Sequence, residues 1–230
     1  MTRRGAGLIS YTQVSLCMHV SLRYHRCWAR DVRVAFRHLD GEGLMVSAWS
    51  PHALPVSYSA SAKLMHWFVA AAVIVLLATG PVMKRLVPEG SLRDNLYDFH
   101  EALGALVLIV MVVRLARRGA FGVPAPDAAL PPVEQRASLW AQYLLYVLLF
   151  VTTVLGWAAT NAYGDPVSVF GLFEFPNILG KDQPLSDRIF VWHLICGILI
   201  GLIAALHIAG ALYHWFVKRD RVLQRMLPGN

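Results

Sequence analysis

Charged side chains are scarce in this sequence. They make up 15% of its 230 residues, against roughly 25% in ordinary globular chains. Hydrophobic residues make up 57% and mean hydropathy is +0.50, a balance that excludes an ordinary soluble domain. Cysteine is scarce too. Cys17, Cys27 and Cys196 follow neither the spacing of zinc ligands nor that of a disulfide framework, so they read as three unpaired thiols. No apolar core of about 7–15 residues followed by a small-residue cleavage site opens the chain, which argues against a signal peptide. Acid is short relative to base, 14 residues against 21, for a net charge of +7. In a soluble protein that excess would suggest nucleic acid. Here the charges collect outside the apolar runs, so they report membrane topology and no nucleic-acid partner is expected.

Long apolar runs are what the sequence does have. Four are long enough to cross a bilayer, which takes about 20 helical residues: Leu64–Met83, Leu96–Leu115, Leu139–Thr160 and Ile189–Val217. The last is longer than a straight span needs, which predicts tilt or projection beyond the membrane. Helix breakers separate them: Gly80-Pro81 and Pro88-Glu89-Gly90, then the proline-rich stretch from Gly122 to Pro132, then Gly164-Asp165-Pro166 and Pro176 to Pro184. There is no internal repeat. The expected fold is therefore all-α, an integral-membrane, up-and-down four-helix bundle over residues 57–228.

Basic residues set the expected orientation. If helix one starts inside, the inner flanks hold Lys63, Arg114, Arg117, Arg118, Arg136, Lys218, Arg219, Arg221 and Arg225. The outer loops then hold Lys84, Arg85, Arg93, Lys181 and Arg188. The excess places both termini in the cytoplasm. Residues 1–56 are a different kind of sequence, a basic extension with Arg3, Arg4, Arg23, Arg26, Arg30, Arg33 and Arg37 scattered without periodicity. They read as a disordered tail or an over-extended start, with translation beginning near Met45. Asp31, Asp40 and Glu42 weaken a transit-peptide reading.

Ionisable residues inside membrane spans are costly and mark functional candidates. His193 and His207 lie 14 residues apart in the fourth span, which is about 40° short of four full turns and about 21 Å of rise. One helix face thus carries a histidine towards each side of a hydrocarbon core about 30 Å thick, the geometry for two stacked cofactors. In an up-and-down bundle His66 of helix one shares the inner level with His207, and His100 of helix two shares the outer level with His193. Each pair could hold a haem iron between two neutral imidazoles, leaving no open position and favouring electron transfer over oxygen binding. One turn after each histidine stands a small residue, Ala70, Gly104, Gly197 or Ala211, where a porphyrin could lie. The competing explanation for the glycines is close helix packing, as between Gly197 and Gly201. Arg114, 14 residues after His100, could reach a propionate of the inner haem or be an ordinary interfacial anchor, and Lys84 could do the same for the outer one. His214, two turns past His207, reads as an interfacial residue, with proton handling near a quinone as the other possibility. Helix three has no histidine; Thr152, Thr153 and Gly156 suggest packing, and Tyr143, Tyr146 and Trp157 could border a haem.

Several stretches resemble the bacterial cytochrome b561 family of four-helix, di-haem membrane proteins. They are Ser61-Ala-Lys-Leu-Met-His66-Trp67, Phe99-His100-Glu-Ala-Leu-Gly104 through Met111-Val-Val-Arg114, and Val191-Trp192-His193. The match then continues from Leu206-His207 through Tyr213-His214 to Leu223-Gln-Arg-Met-Leu-Pro228. The resemblance implies two haem b groups, bis-histidine ligation by His66, His207, His100 and His193, electron exchange with a quinone or quinol, and residence in the bacterial inner membrane. At the outer face a small anionic donor such as superoxide, attracted by Lys84, Arg85 and Arg93, or a soluble redox protein could exchange electrons. The alternative is a haem-bearing anchor that relays electrons for a larger complex, docking its partner through Ala162–Arg188 with Phe170, Phe173 and Phe175. A transporter reading is weaker, because no span is plainly discontinuous beyond Gly80-Pro81.

Overall fold

The computed structural model describes residues 57–125 and 130–228 in full, and the backbone alone of 11–15, 31–36 and 46–47. The chain divides into two units, Met1–Leu54 and Pro55–Asn230. In the first, strands β1 (Tyr11–Ser15), β2 (Asp31–Phe36) and β3 (Val46–Ser47) form an antiparallel sheet in that order, with Tyr11 opposite Ala35 and Phe36 opposite Val46. Arg3, Arg4, His19, His25, His38, His52, Cys17, Cys27 and the expected start near Met45 lie outside the described residues.

The second unit is an all-α four-helix bundle. Its helices are α1 (Ala60–Pro81), α2 (Ser91–Phe121), α3 (Pro132–Tyr163) and α4 (Gln183–Tyr213). All four are long and apolar enough to cross a membrane. At 31 residues, α2 extends about 46 Å, so it overruns the hydrocarbon core. Its first two turns carry Arg93, Asp94 and Asp98, the charges that belong in water.

Local chemistry sets the helix ends. Ser59 caps α1 by accepting from Ala62 N, and Asp182 caps α4 by accepting from Leu185 N. Pro131 and Pro132 open α3, where a missing N–H costs nothing. Gly164, with φ +118°, closes α3 in a conformation that other residues adopt only with strain. Pro81 removes one backbone donor from the end of α1, and the chain widens into a π-helical turn at Val82–Leu86. A second π turn, His214–Lys218, follows α4.

Connections at alternate ends make the topology up-and-down. One end holds the start of α1, the turn between α2 and α3 and the end of α4; it is called the terminal end below, and the other the loop end. The tail after α4 folds over the start of α1: Ser57 Oγ and Tyr58 N donate to Arg225 O, Trp67 Nε1 to Met226 O, and Lys63 Nζ to Leu227 O. The Leu223–Pro228 motif thus provides a row of carbonyl acceptors. Midway along the bundle, Val69, Ala72, Val73, Leu103, Val107, Met111, Leu148 and Ile200 form the core. On the outside Leu194, Ile198, Leu202 and Leu206 of α4 repeat every four residues and are exposed, the pattern of a face solvated by lipid.

Candidate functional site

The core separates two histidine pairs. At the terminal end His66 of α1 and His207 of α4 have ring centroids 6.4 Å apart, with planes at 74°. At the loop end His100 of α2 and His193 of α4 are 6.2 Å apart at 65°. The structure thus brings His66 to His207 and His100 to His193, at two levels of the bundle.

The loop-end rings are held by their Nδ1 atoms. His193 Nδ1 lies 2.9 Å from the carbonyl of Thr152. A carbonyl only accepts, so the proton is on Nδ1 and the Nε2 lone pair is free. The Thr79 hydroxyl donates to Leu76 O at 3.3 Å and meets His100 Nδ1 at 3.0 Å. A hydroxyl can donate to or accept from Nδ1, so Thr79 positions the His100 ring in either tautomer. A partner on Nδ1 is what orients a histidine that binds a metal through Nε2. Glycines give both rings room: a Cβ on Gly156 would come within 3.1 Å of His193 Cε1, and one on Gly80 within 3.8 Å of His100 Cε1.

The terminal-end pair is arranged differently. Arg114 Nη2 lies 3.3 Å from His66 Nδ1, and the guanidinium sits over the Tyr146 ring at 5.3 Å. Arginine only donates, so here His66 accepts at Nδ1 and carries its proton on Nε2. Coordination through Nε2 requires Arg114 to release Nδ1.

Both pairs have the separation that a shared metal demands. Two imidazoles on opposite sides of one metal, each at a metal–nitrogen distance of about 2 Å, place their centroids about 6 Å apart. Among the described residues no group of three or more His, Cys, Asp or Glu side chains is arranged around a metal ion. A metal between two histidines must therefore bring its remaining ligands with it, as in a porphyrin. A Cβ on Gly104 or Gly197 would meet nothing within 4 Å. These glycines do not serve close helix packing; they leave an open flank beside His100 and His193, and the residues present fit the group.

Other expected site residues are less engaged. Lys84 and Arg85 are exposed in the π turn at the loop end, and among the described residues Lys84 makes no hydrogen bond to the His100/His193 pair. Arg93 is paired with Glu89 at 2.9 Å, which uses up its charge. His214 sits between two carboxylates, Nδ1 on Asp220 and Nε2 3.8 Å from Glu134, while Glu134 also holds Lys218 at 3.0 Å. Burial by itself would raise the Asp220 carboxyl, but the Val222 N–H and His214 hold it below the usual carboxylate range.

Three features escaped the reading of the sequence. Helix α3, without a histidine, orients His193 through a backbone carbonyl. Glu101, beside His100, accepts from Thr160 Oγ1 at 3.0 Å inside the bundle. The loop after α3 is a folded hairpin: Val167 and Val169 are buried against Ala105, Phe175 packs on Trp157, and Phe170 meets Phe99 next to His100. Asn161 anchors it through Asp165 O, Asn177 and Ile178 N.

Comparison with known proteins agrees with this architecture. The family described as prokaryotic cytochrome b561 matches residues 57–229. Cytochrome b561 homolog 2 of Escherichia coli (strain K12) is 28% identical over 173 residues, 75% of this chain and 92% of that protein. The protein named "Probable superoxide oxidase CybB" from Yersinia pestis is 23% identical over 71% of this chain and 92% of its own length. Cytochrome b562 of Cereibacter sphaeroides is 28% identical over 71% and 90%. Four spanning helices with a half-buried histidine pair at each of two levels, matched over the whole bundle, make this chain a member of the prokaryotic cytochrome b561 family, multi-pass bacterial membrane proteins of electron transfer that use haem b.

Proposed function

We propose that the chain binds two haem b groups, one between His66 and His207 and one between His100 and His193, and carries electrons between a quinone or quinol and a partner at the loop end. The observation that carries this reading is the pair of two-histidine sites with centroids 6.4 and 6.2 Å apart. Haem b, when bound, supplies one-electron oxidation and reduction. The two imidazoles of each pair would hold the haem, and the protein fills the space between the two levels with apolar side chains. In the bacterial inner membrane, with the terminal end cytoplasmic as its basic residues favour, the loop end faces outward.

Quinone reduction consumes protons as well as electrons, and the terminal end has groups to handle them. His214 bridges Asp220 and Glu134 there, and Glu134 Oε2 is buried without a hydrogen-bond partner. At the loop end a small anion such as superoxide would give up one electron and leave as oxygen. The name of the Yersinia relative supports that choice, and the exposed Lys84 and Arg85 supply attraction. The second reading, a relay subunit docked to a larger redox complex, draws on the hairpin, whose Phe170, Leu172 and Phe173 are exposed at its tip.

Purified protein should show a bis-histidine b-type spectrum with two haems per chain and be reduced by quinol. His193→Ala should remove the loop-end haem and His207→Ala the terminal-end one. Two haems per chain in either variant would refute the ligand assignment. Reduction by quinol only in the presence of a second protein would favour the relay reading.

A further inference from the structure

A groove of about 340 Å³ runs between α2 and α3 in the terminal half of the bundle, within the range of small-ligand clefts. Leu115 and Arg118 of α2 line one wall, and Tyr143, Tyr146, Val147 and Val151 of α3 line the other. From Tyr143 to Val151 the α3 wall extends about 12 Å along the membrane normal. Leu115, Tyr143, Val147 and Val151 are all exposed, so the groove opens to lipid rather than to water.

The groove is apolar along its length and cationic at one end. The Arg118 guanidinium lies 5.9 Å from the ring centroids of both Tyr143 and Tyr146. Among the described residues it has no carboxylate partner. Arg117, next along α2, hydrogen-bonds Ser59 Oγ and likewise has no carboxylate partner among the described residues. Arg118 stands one turn from the end of α2, where the span leaves the hydrocarbon, and the aromatic rings beneath hold it there. A cation without a carboxylate partner among the described residues, at the interface above an acyl-sized apolar channel, is complementary to an anionic amphiphile. A neutral lipid would fill the channel and leave the guanidinium unanswered.

We infer that this groove is a specific site for an anionic glycerophospholipid, its phosphate on Arg118 and one acyl chain along Val147 and Val151. Tyr146 lies under both Arg118 and Arg114, and Arg114 reaches His66. The lipid therefore sits two side chains, Tyr146 and Arg114, away from the terminal-end histidine pair. The site does not depend on the haem or quinone assignments.

Native mass spectrometry tests this on the full haem-loaded chain released from bilayers of equal phosphatidylglycerol and phosphatidylcholine. One phosphatidylglycerol should be retained per chain. Arg118→Gln should weaken that retention about fivefold, the factor expected for one interfacial arginine, and Arg118→Lys should restore part of it. Val147→Trp should block the channel, whereas Leu202→Trp on the lipid face of α4 should change nothing. Unaltered haem absorbance in each variant controls for folding. Equal retention of both lipids, or of phosphatidylglycerol by wild type and Arg118→Gln alike, would mean bulk lipid only and overturn the proposal. Recovery of a quinone from the groove in place of phospholipid would overturn it as well.

Discussion

Gly156 separates stability of the bundle from competence of the loop-end site. In Gly156→Ala the new Cβ would stand 3.1 Å from His193 Cε1 and 3.3 Å from its Nδ1, closer than carbon atoms normally approach. That ring is already tied to Thr152 O, one turn earlier on the same helix. Without haem the imidazole can rotate away and the clash disappears. With the ring fixed by a metal it cannot, so an overpacking cost of about 1–3 kcal/mol falls on the loaded state. Replacing glycine by alanine within a helix gains about 1 kcal/mol in both states. Retention of the loop-end haem should therefore fall by between about fivefold and about a hundredfold, while the helices melt no earlier than in wild type. The assay is haem loss to a competing apoprotein, followed with a redox titration that resolves the two components. Only the component abolished by His193→Ala should change. A Gly156→Ala protein with both components and both off-rates unaltered would refute the placement of a metal-fixed ring against α3.

Arg114→Gln should lower the potential of the component assigned to His66 and His207 by tens of millivolts, because a nearby positive charge disfavours the oxidised centre; a redox titration checks it. Trp67→Phe, which removes the indole donor to Met226 O, should cost about 1 kcal/mol of thermal stability, and deleting residues 223–230 should cost more, since buried Lys63 also loses Leu227 O. Asp220 titrates below its unfolded value, so its contribution to holding the tail is present above the unfolded carboxylate pKa of about 3.9 and is lost as pH falls through the folded one. Hydrogen exchange in residues 214–222 should accordingly be faster in Asp220→Asn than in wild type near neutral pH, and the two should converge in acid.

What could be read from the sequence was whatever repeats or is expensive. Apolar runs of about 20 residues announce their own helices. Histidines buried in them at a 14-residue interval fall on one face by arithmetic, and up-and-down order then fixes which partners share a level. The support was not legible, because it comes from groups every residue has. The acceptor for His193 is a backbone carbonyl on a helix without a histidine, and the space for the ring is a missing side chain at Gly156. Thr79 was legible only as part of a helix end. The tail motif after α4 was visible as a pattern, but its purpose, presenting three successive carbonyls to α1 and the residues just before it, depends on a 3₁₀ turn at Gln224–Met226 that no periodicity marks. The hairpin between α3 and α4 read as a long polar-and-aromatic loop. Its order comes from Asn161, whose side-chain bonds join points 4 to 17 residues away.

The two pairs differ in a way that bears on how each is filled. At the loop end His193 Nδ1–H is already committed to Thr152 O, and His100 Nδ1 rests on the Thr79 hydroxyl, which can accept its proton without moving, so little rearrangement accompanies metal binding through Nε2. At the terminal end the Arg114 guanidinium occupies His66 Nδ1 and leaves the proton on the opposite nitrogen. Binding through Nε2 there must shift that proton and move Arg114, which keeps its stack on Tyr146 and is released as a free cation beside the site. A carboxylate on the incoming group would take up that cation, and haem b carries two. The loop-end site should therefore fill first and independently of Arg114, and the terminal-end site should fill only as Arg114 exchanges partners. Stepwise addition of haem to the apoprotein would resolve the order: in wild type the component lost in His193→Ala should appear before the one lost in His207→Ala. With Arg114→Gln the first step should be unchanged and only the second altered. If the order were reversed, or if the first step responded to Arg114, the tautomer difference between the pairs would have no part in assembly.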